Sequence, residues 1–197
     1  MRILVISGSP RAVSLENTDI SLPRPGGFVE TVPANSCSER LADAFILGAS
    51  ESGHVCVKHT LSKLRHINPC RACYGCLRTG KCVQPDDMQV LYPEFDNADA
   101  VLFVSPLYYA TIPAQVLAII NRLYPYWIDG IRYPKLQGAG VIGVCADYGQ
   151  SWTLFDQTWH SIFGEIGWSE KGILHAPRFL EHEEEYLKAA YQFGKLF

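Results

Sequence analysis

Five times along this chain, a short apolar run gives way to a segment with helical spacing. The first run, Arg2 to Ser7, is apolar and β-branched throughout, as a central parallel strand buried on both faces must be. Further strand runs lie at His54–Thr60, Asp99–Ser105, 139–146 and Trp168–Leu174. Helical segments start at Ser36 and Pro85, and others span Pro113–Tyr124, Trp152–Ile166 and Glu181–Phe197. Parallel strands need long crossovers, so this alternation predicts an α/β fold: a doubly wound five-stranded parallel sheet with helices on both faces.

A length of 197 residues suits one such domain over 1–197, with an insertion at 12–35 and a cysteine-rich loop at 70–82. The net charge of −3, with Lys and Arg scattered, lacks the basic stripe of a nucleic-acid surface. The longest apolar runs are strand-length, short of the ~20 residues of a membrane span. The N-terminus enters a strand at once, without the basic and apolar regions of a secretory signal. Seven cysteines, an odd number, then point to a reducing cytoplasm rather than a disulfide framework.

Three strand ends carry unusual loops. The first, Ser7-Gly8-Ser9-Pro10-Arg11, is a small-residue turn after a buried strand, where α/β domains bind phosphate. On spacing alone it is equally an ordinary βα loop. The third strand ends at Pro106-Leu107-Tyr108-Tyr109-Ala110 and the fourth at Asp147-Tyr148-Gly149-Gln150. In strand order 2-1-3-4-5, a ligand sits where these loops meet. The 12–35 segment, with Pro23, Pro25, Pro33 and Gly26-Gly27, reads as a structureless insert, either a lid or a solvated loop. Ser36 with Glu39 is a capping-box pattern, so the Ser36 and Ser38 hydroxyls sit at a helix N-terminus, to cap it or also to touch phosphate. Asp86 and Asp87 read as acids in a first helical turn, and 181–185 as a solvated helix start. No catalytic acid–base pair is apparent, and His160 and His175 are assigned no role.

The motif Cys70-x2-Cys73-x2-Cys76-x5-Cys82 concentrates four cysteines in thirteen residues. Four chemistries fit it: a [4Fe–4S] cluster, for which ferredoxins use a dense C-x2-C-x2-C run; zinc, although zinc sites usually pair separated knuckles; metal-free redox thiols; and small buried residues without a reaction.

The chain resembles the NAD(P)H-dependent FMN reductase group of flavodoxin-like proteins, and within it the iron–sulfur flavoproteins. The residues that carry the likeness are Gly8-Ser9-Pro10-Arg11, Ser36-Cys37-Ser38 leading into Leu41-Ala42, the cysteine motif, Asp86-Asp87-Met88, Ala98-Asp99-Ala100, Ser105-Pro106-Leu107-Tyr108, and Pro113-Ala114-Gln115 with Asn121-Arg122. The resemblance implies a flavodoxin-like sheet in the order 2-1-3-4-5 and an FMN site. Ser9, Arg11, Ser36 and Ser38 would hold the phosphate. Pro106, Leu107, Tyr108 and Tyr109 would pack along the flavin through backbone amides and ring faces, with Asp147, Tyr148 and Gly149 at the other edge. Cys70, Cys73, Cys76 and Cys82 would hold a [4Fe–4S] cluster at the side of that site. NADPH or NADH would reduce the flavin, and a small acceptor or a redox protein would take the electrons, in a homodimer or homotetramer. The alternative is a flavodoxin-like electron carrier or thiol sensor with no small substrate. Three departures stand out: the 12–35 insertion parts Arg11 from its helix, Cys37-Ser38 stands at the helix start where the family often has asparagine-threonine, and Leu117 and Asn121 replace a usual lysine and aspartate, leaving that face for a dimer contact or for core.

Overall fold

The computed structural model describes residues 1–11, 36–64, 66–127, 136–145 and 151–197, and the backbone of 20–23 and 29–32. Strands β1 (Arg2–Ser7), β4 (Val55–Thr60), β5 (Ala100–Pro106), β6 (Gly138–Val144) and β7 (Ser169–Ala176) form one sheet in the order β4-β1-β5-β6-β7, every pair parallel. That is the order 2-1-3-4-5 of a flavodoxin-like fold. The strand side chains alternate between two cores. Ile3, Val5, Leu102 and Val104 pack under α1 (Cys37–Glu51) and α7 (Glu183–Leu196). Leu4, Ile6, Val101 and Phe103 pack under α3 (Met88–Asn97), α4 (Ala114–Asn121) and α6 (Thr153–Ile166). Because both faces are covered, the strands read as continuous apolar runs.

Part of the 12–35 insertion is not structureless. β2 (Ile20–Pro23) pairs antiparallel with β3 (Val29–Val32), with Ile20 opposite Val32. β-branched residues at the strand positions suit this ribbon, but the surrounding prolines and glycines hide its period. The third helix ends at Asn121, and a short α5 follows (Tyr124–Trp127). Leu117 is partly buried against the core, whereas Asn121 is exposed. Among the described residues, no helix is long and apolar enough to cross a membrane. His175 accounts for itself: it stacks on Trp152 at 4.3 Å and its Nε2 lies 2.7 Å from Asp156, tying β7 to α6.

The closest helix crossing is α1 on α7. A Cβ on Gly48 would stand 2.0 Å from the Tyr191 carbonyl oxygen, and one on Gly194 would stand 2.1 Å from that of Phe45. Each helix uses a missing side chain to admit the other's backbone. Arg40 pairs with Glu183 across the same seam. This crossing matters for the site, because it sets where the N-terminus of α1 points.

Candidate functional site

β1 delivers the chain to Gly8 at the carboxyl edge of the sheet. A Cβ there would lie 2.6 Å from Val116 Cγ2 and 3.1 Å from the Val104 carbonyl oxygen, so the turn needs glycine. Ser9 follows, buried, and its Oγ accepts the Arg11 N–H at 3.3 Å. Ser36 caps α1: its Oγ accepts the Glu39 N–H at 3.2 Å. The reciprocal half of the expected capping box is replaced. Glu39 turns its carboxylate to Thr60 Oγ1 (3.1 Å) and Lys58 Nζ (3.2 Å), tying α1 to β4.

A cleft of about 320 Å³ opens at this edge, within the ~300–1,000 Å³ of small-molecule sites. β1 and α1 contribute Ser9, Arg11, Ser36, Cys37 and Ser38; the loop after β5 contributes Pro106, Leu107 and Tyr108; the end of β6 contributes Val144 and Cys145. Seven expected residues therefore meet around one cavity. The three that sequence reasoning missed are sequence neighbours of expected ones or sit at a strand end, which is the only signal that could have found them. Burial holds the Cys37 thiol up against the opposing charges of Arg11 and Arg40, so the phosphate end keeps a neutral thiol. Asp147, Tyr148 and Gly149 lie outside the described residues.

The aromatic loop differs from the expected arrangement. Leu107 N–H donates to the Val144 carbonyl and Tyr108 N–H to the Thr111 carbonyl. Both amides serve the scaffold and are not free for a ligand in the cleft. Tyr108 and Thr111 bracket a two-residue turn in which Tyr109 (φ 52°) and Ala110 (φ 59°) are both left-handed. That turn throws the Tyr109 ring outward, 97% exposed and off the cleft lining. Left-handed backbone costs an L-residue roughly 1–2 kcal/mol. Ala110→Gly is therefore expected to stabilise the protein by about 1 kcal/mol, a rise in Tm of roughly 2–4 °C at this chain length. Thermal unfolding checks this; an unchanged or lower Tm would mean that the turn is not strained.

The cysteine segment forms a second centre. Cys70, Cys73, Cys76 and Cys82 line one small cavity with Asn121, Arg122 and Tyr124. Ala72 (φ 51°) and Tyr74 (φ 52°), between the cysteines, fold the chain back on itself, and α2 (Gly75–Thr79) carries Cys76. Beneath them lies a buried ion pair. Arg122 Nη1 and Nη2 donate to the Asp86 carboxylate at 2.6 and 3.0 Å, and Nη1 also reaches the Asn68 carbonyl oxygen at 2.9 Å. Asp86 was expected in a first helical turn, but α3 starts only at Met88 and the carboxylate points inward, accepting the Asn68 and Met88 N–H groups as well. Burial opposes ionisation of Cys82, yet the Gln84 amide, the Tyr92 hydroxyl and Arg122 outweigh it and lower the thiol's pKa.

The two centres share no lining residue. Val116 abuts Gly8 of the first, while Arg122 of the second is roughly 9 Å farther along the α4 axis. The cysteines thus gather with Arg122 at the C-terminal end of α4.

The model of one protein family, described as NADPH-dependent FMN reductase, matches residues 1–153. The chain belongs to that family. An iron-sulfur flavoprotein of Archaeoglobus fulgidus is 37% identical over 115 residues, 57% of this chain and 50% of its relative. One from Methanocaldococcus jannaschii is 30% identical over 99 residues, 50% of each chain. The chain thus spans about half the length of the curated relatives it matches. Among solved structures, an NAD(P)H:quinone oxidoreductase from Methanothermobacter marburgensis superposes with a TM-score of 0.73 at 16% identity, covering 99% of this chain and 94% of that one. A flavone reductase follows at 0.67 and 16%, covering 99% and 61%.

The cleft fits the cofactor that names the family. Hydroxyls, a guanidinium and a helix N-terminus suit a phosphate, and the apolar and aromatic lining residues Pro106, Leu107, Tyr108 and Val144 suit a flat aromatic system. The cysteine cavity fits a sulfur-ligated group. Its donors are four thiols, and the buried Arg122 Nε has no hydrogen-bond partner among the described residues. Among those residues, no three Cys, His or acidic side chains are gathered tightly enough for a single ion.

Proposed function

We propose that the protein is an FMN-dependent oxidoreductase that takes electrons from NADPH or NADH and passes them through bound flavin to a small acceptor or a redox protein. The observation that carries this reading is the single cleft joining Ser9, Arg11, Ser36 and Ser38 to Pro106, Leu107 and Tyr108; membership of the FMN reductase family supports it. Bound flavin supplies the redox chemistry itself, and the chain's part is to bind and orient it. Arg11 and the α1 N-terminus neutralise the phosphate, Ser9, Ser36 and Ser38 offer it hydroxyls, and Tyr108 and Leu107 wall the ring. We assign Asp147, Tyr148 and Gly149 to the rim of this site. Cys70, Cys73, Cys76 and Cys82 hold a [4Fe–4S] cluster that supplies one-electron transfer. The iron-sulfur flavoprotein relatives support that assignment. We place the protein in the cytoplasm as a homodimer or homotetramer.

The absorption spectrum of anaerobically purified protein tests both cofactors. Flavin bands with a broad shoulder that dithionite bleaches are expected; flavin bands alone reject the cluster, and a protein that does not take up FMN rejects the whole reading. Stopped-flow mixing with NADPH or NADH should then reduce the flavin directly, whereas a carrier fed by another protein would not respond. Arg11→Ala removes a charge-assisted hydrogen bond of about 1.5–3 kcal/mol, so FMN affinity is expected to fall roughly 10–100-fold. Fluorescence titration with FMN measures this, and an unchanged Kd would remove Arg11 from the phosphate site.

A further inference from the structure

The mechanism so far leaves one buried polar edge unused. The Arg122 side chain is 0% exposed, in a cavity wall it shares with all four clustered cysteines. Its two terminal nitrogens are held by Asp86 and the Asn68 carbonyl oxygen. Tyr92 fixes the backbone, its hydroxyl donating to the Arg122 carbonyl at 2.8 Å. A guanidinium clamped at one end cannot swing away, so its remaining Nε–H edge has a set direction. That Nε is buried with no partner among the described residues. A buried donor left without an acceptor costs about 1–3 kcal/mol, and the cavity wall that Arg122 shares includes Cys70, Cys73, Cys76 and Cys82.

We propose that Arg122 is a positioning residue of the cysteine site, where its Nε–H donates to a sulfur of the bound cluster and stabilises the one-electron-reduced form. The proposal rests on the reading of Cys70, Cys73, Cys76 and Cys82 as a [4Fe–4S] site. A bound cluster would take one electron from an external reductant such as dithionite, with no bond formed or broken, and the clamped Arg122 cation would stabilise the added negative charge. Hydrogen bonds to sulfur and burial are among the terms that set the potential of such groups. Asp86 acts through Arg122 by holding the guanidinium in place.

The test uses the full chain, purified anaerobically, with iron and acid-labile sulfide counted and the visible bleach titrated against solution potential. Arg122→Lys keeps a cation for Asp86 but lacks the Nε–H. The double variant Arg122→Met with Asp86→Asn removes both charges, which guards against an unpaired buried carboxylate, and keeps an acceptor for one of the Asn68 and Met88 amides. Both variants are expected to keep wild-type flavin content. At a given potential the ratio of reduced to oxidised cluster should fall about tenfold, which is 59 mV for a one-electron couple. Loss of iron from Arg122→Lys with flavin content and circular dichroism unchanged also supports the positioning role. Full iron content with a wild-type potential in both variants overturns it and leaves Arg122 as a structural ion pair. A wild-type protein without iron overturns the cluster reading and this proposal together, so the two failures are told apart by the iron count.

Discussion

Gly48→Ala is expected to lower the unfolding temperature by roughly 6–12 °C, from a loss of about 3 kcal/mol at 2–4 °C per kcal/mol. The new methyl carbon would stand 2.0 Å from the Tyr191 carbonyl oxygen and 2.8 Å from its carbonyl carbon. Those atoms are helix backbone and cannot rotate aside, so α1 and α7 must part. Alanine's better helix propensity returns at most about 1 kcal/mol, and the steric loss exceeds it. Gly194→Ala meets the Phe45 backbone in the same way and should cost a similar amount. The double variant should cost less than the sum, because the first substitution already opens the seam. Since α1 carries Ser36 and Ser38, the shift should also weaken FMN binding. Far-UV circular dichroism on heating, with an FMN titration below the transition, reads both effects. An unchanged Tm would mean that the crossing has slack the geometry denies.

Asp86→Ala should cost about 3–5 kcal/mol, the usual loss when one member of a buried ion pair is removed. The Asp86 and Arg122 side chains are 3% and 0% exposed, so the stranded guanidinium gains no water. The Asn68 and Met88 amides lose their acceptor as well. Asp86→Asn keeps an acceptor for one of those two amides, which bond different carboxylate oxygens, and should lose less. The pair also leaves a pH signature. Burial raises the Asp86 pKa, but Arg122 and the Asn68 and Met88 amides outweigh it and hold the carboxyl below its usual range. A folded-state pKa depressed in this way contributes stability that is complete above the unfolded value, near ~4, and is lost as pH falls through the folded value. The stability gap between wild type and Asp86→Asn, measured by urea unfolding, is therefore expected to be constant above pH ~5 and to close in acid. A gap that stays open to the lowest pH would place its origin in something other than the ionised carboxylate.

How far the residues speak for themselves depends on the range of the interaction. β1, β5 and β6 were legible because a strand buried on both faces is apolar at every position, a local property. Ser9, Arg11, Ser36 and Ser38 were legible as residues of one cleft because turn and cap chemistry are also local. The β2–β3 ribbon was not, since its prolines and glycines break the two-residue period. Asp86 was misassigned for a clearer reason. An acid before a helix is ordinarily read as a dipole partner, and nothing within ten residues shows that an arginine 36 positions away will reach it.

The alternating runs, the Gly8-Ser9-Pro10-Arg11 turn and the cysteine spacing determined by themselves the parallel sheet, the edge that holds the cleft and the presence of a thiol-rich loop. Tertiary structure alone decided that the Leu107 and Tyr108 amides are spent on the scaffold, that Tyr109 faces solvent, that two glycines set the α1–α7 distance, and that the four cysteines line one cavity with Arg122. The first set follows from periodicity and turn chemistry, which act over a few residues. The second follows from which elements cross and how closely, and a crossing is a property of the packed layers that no stretch of chain carries alone.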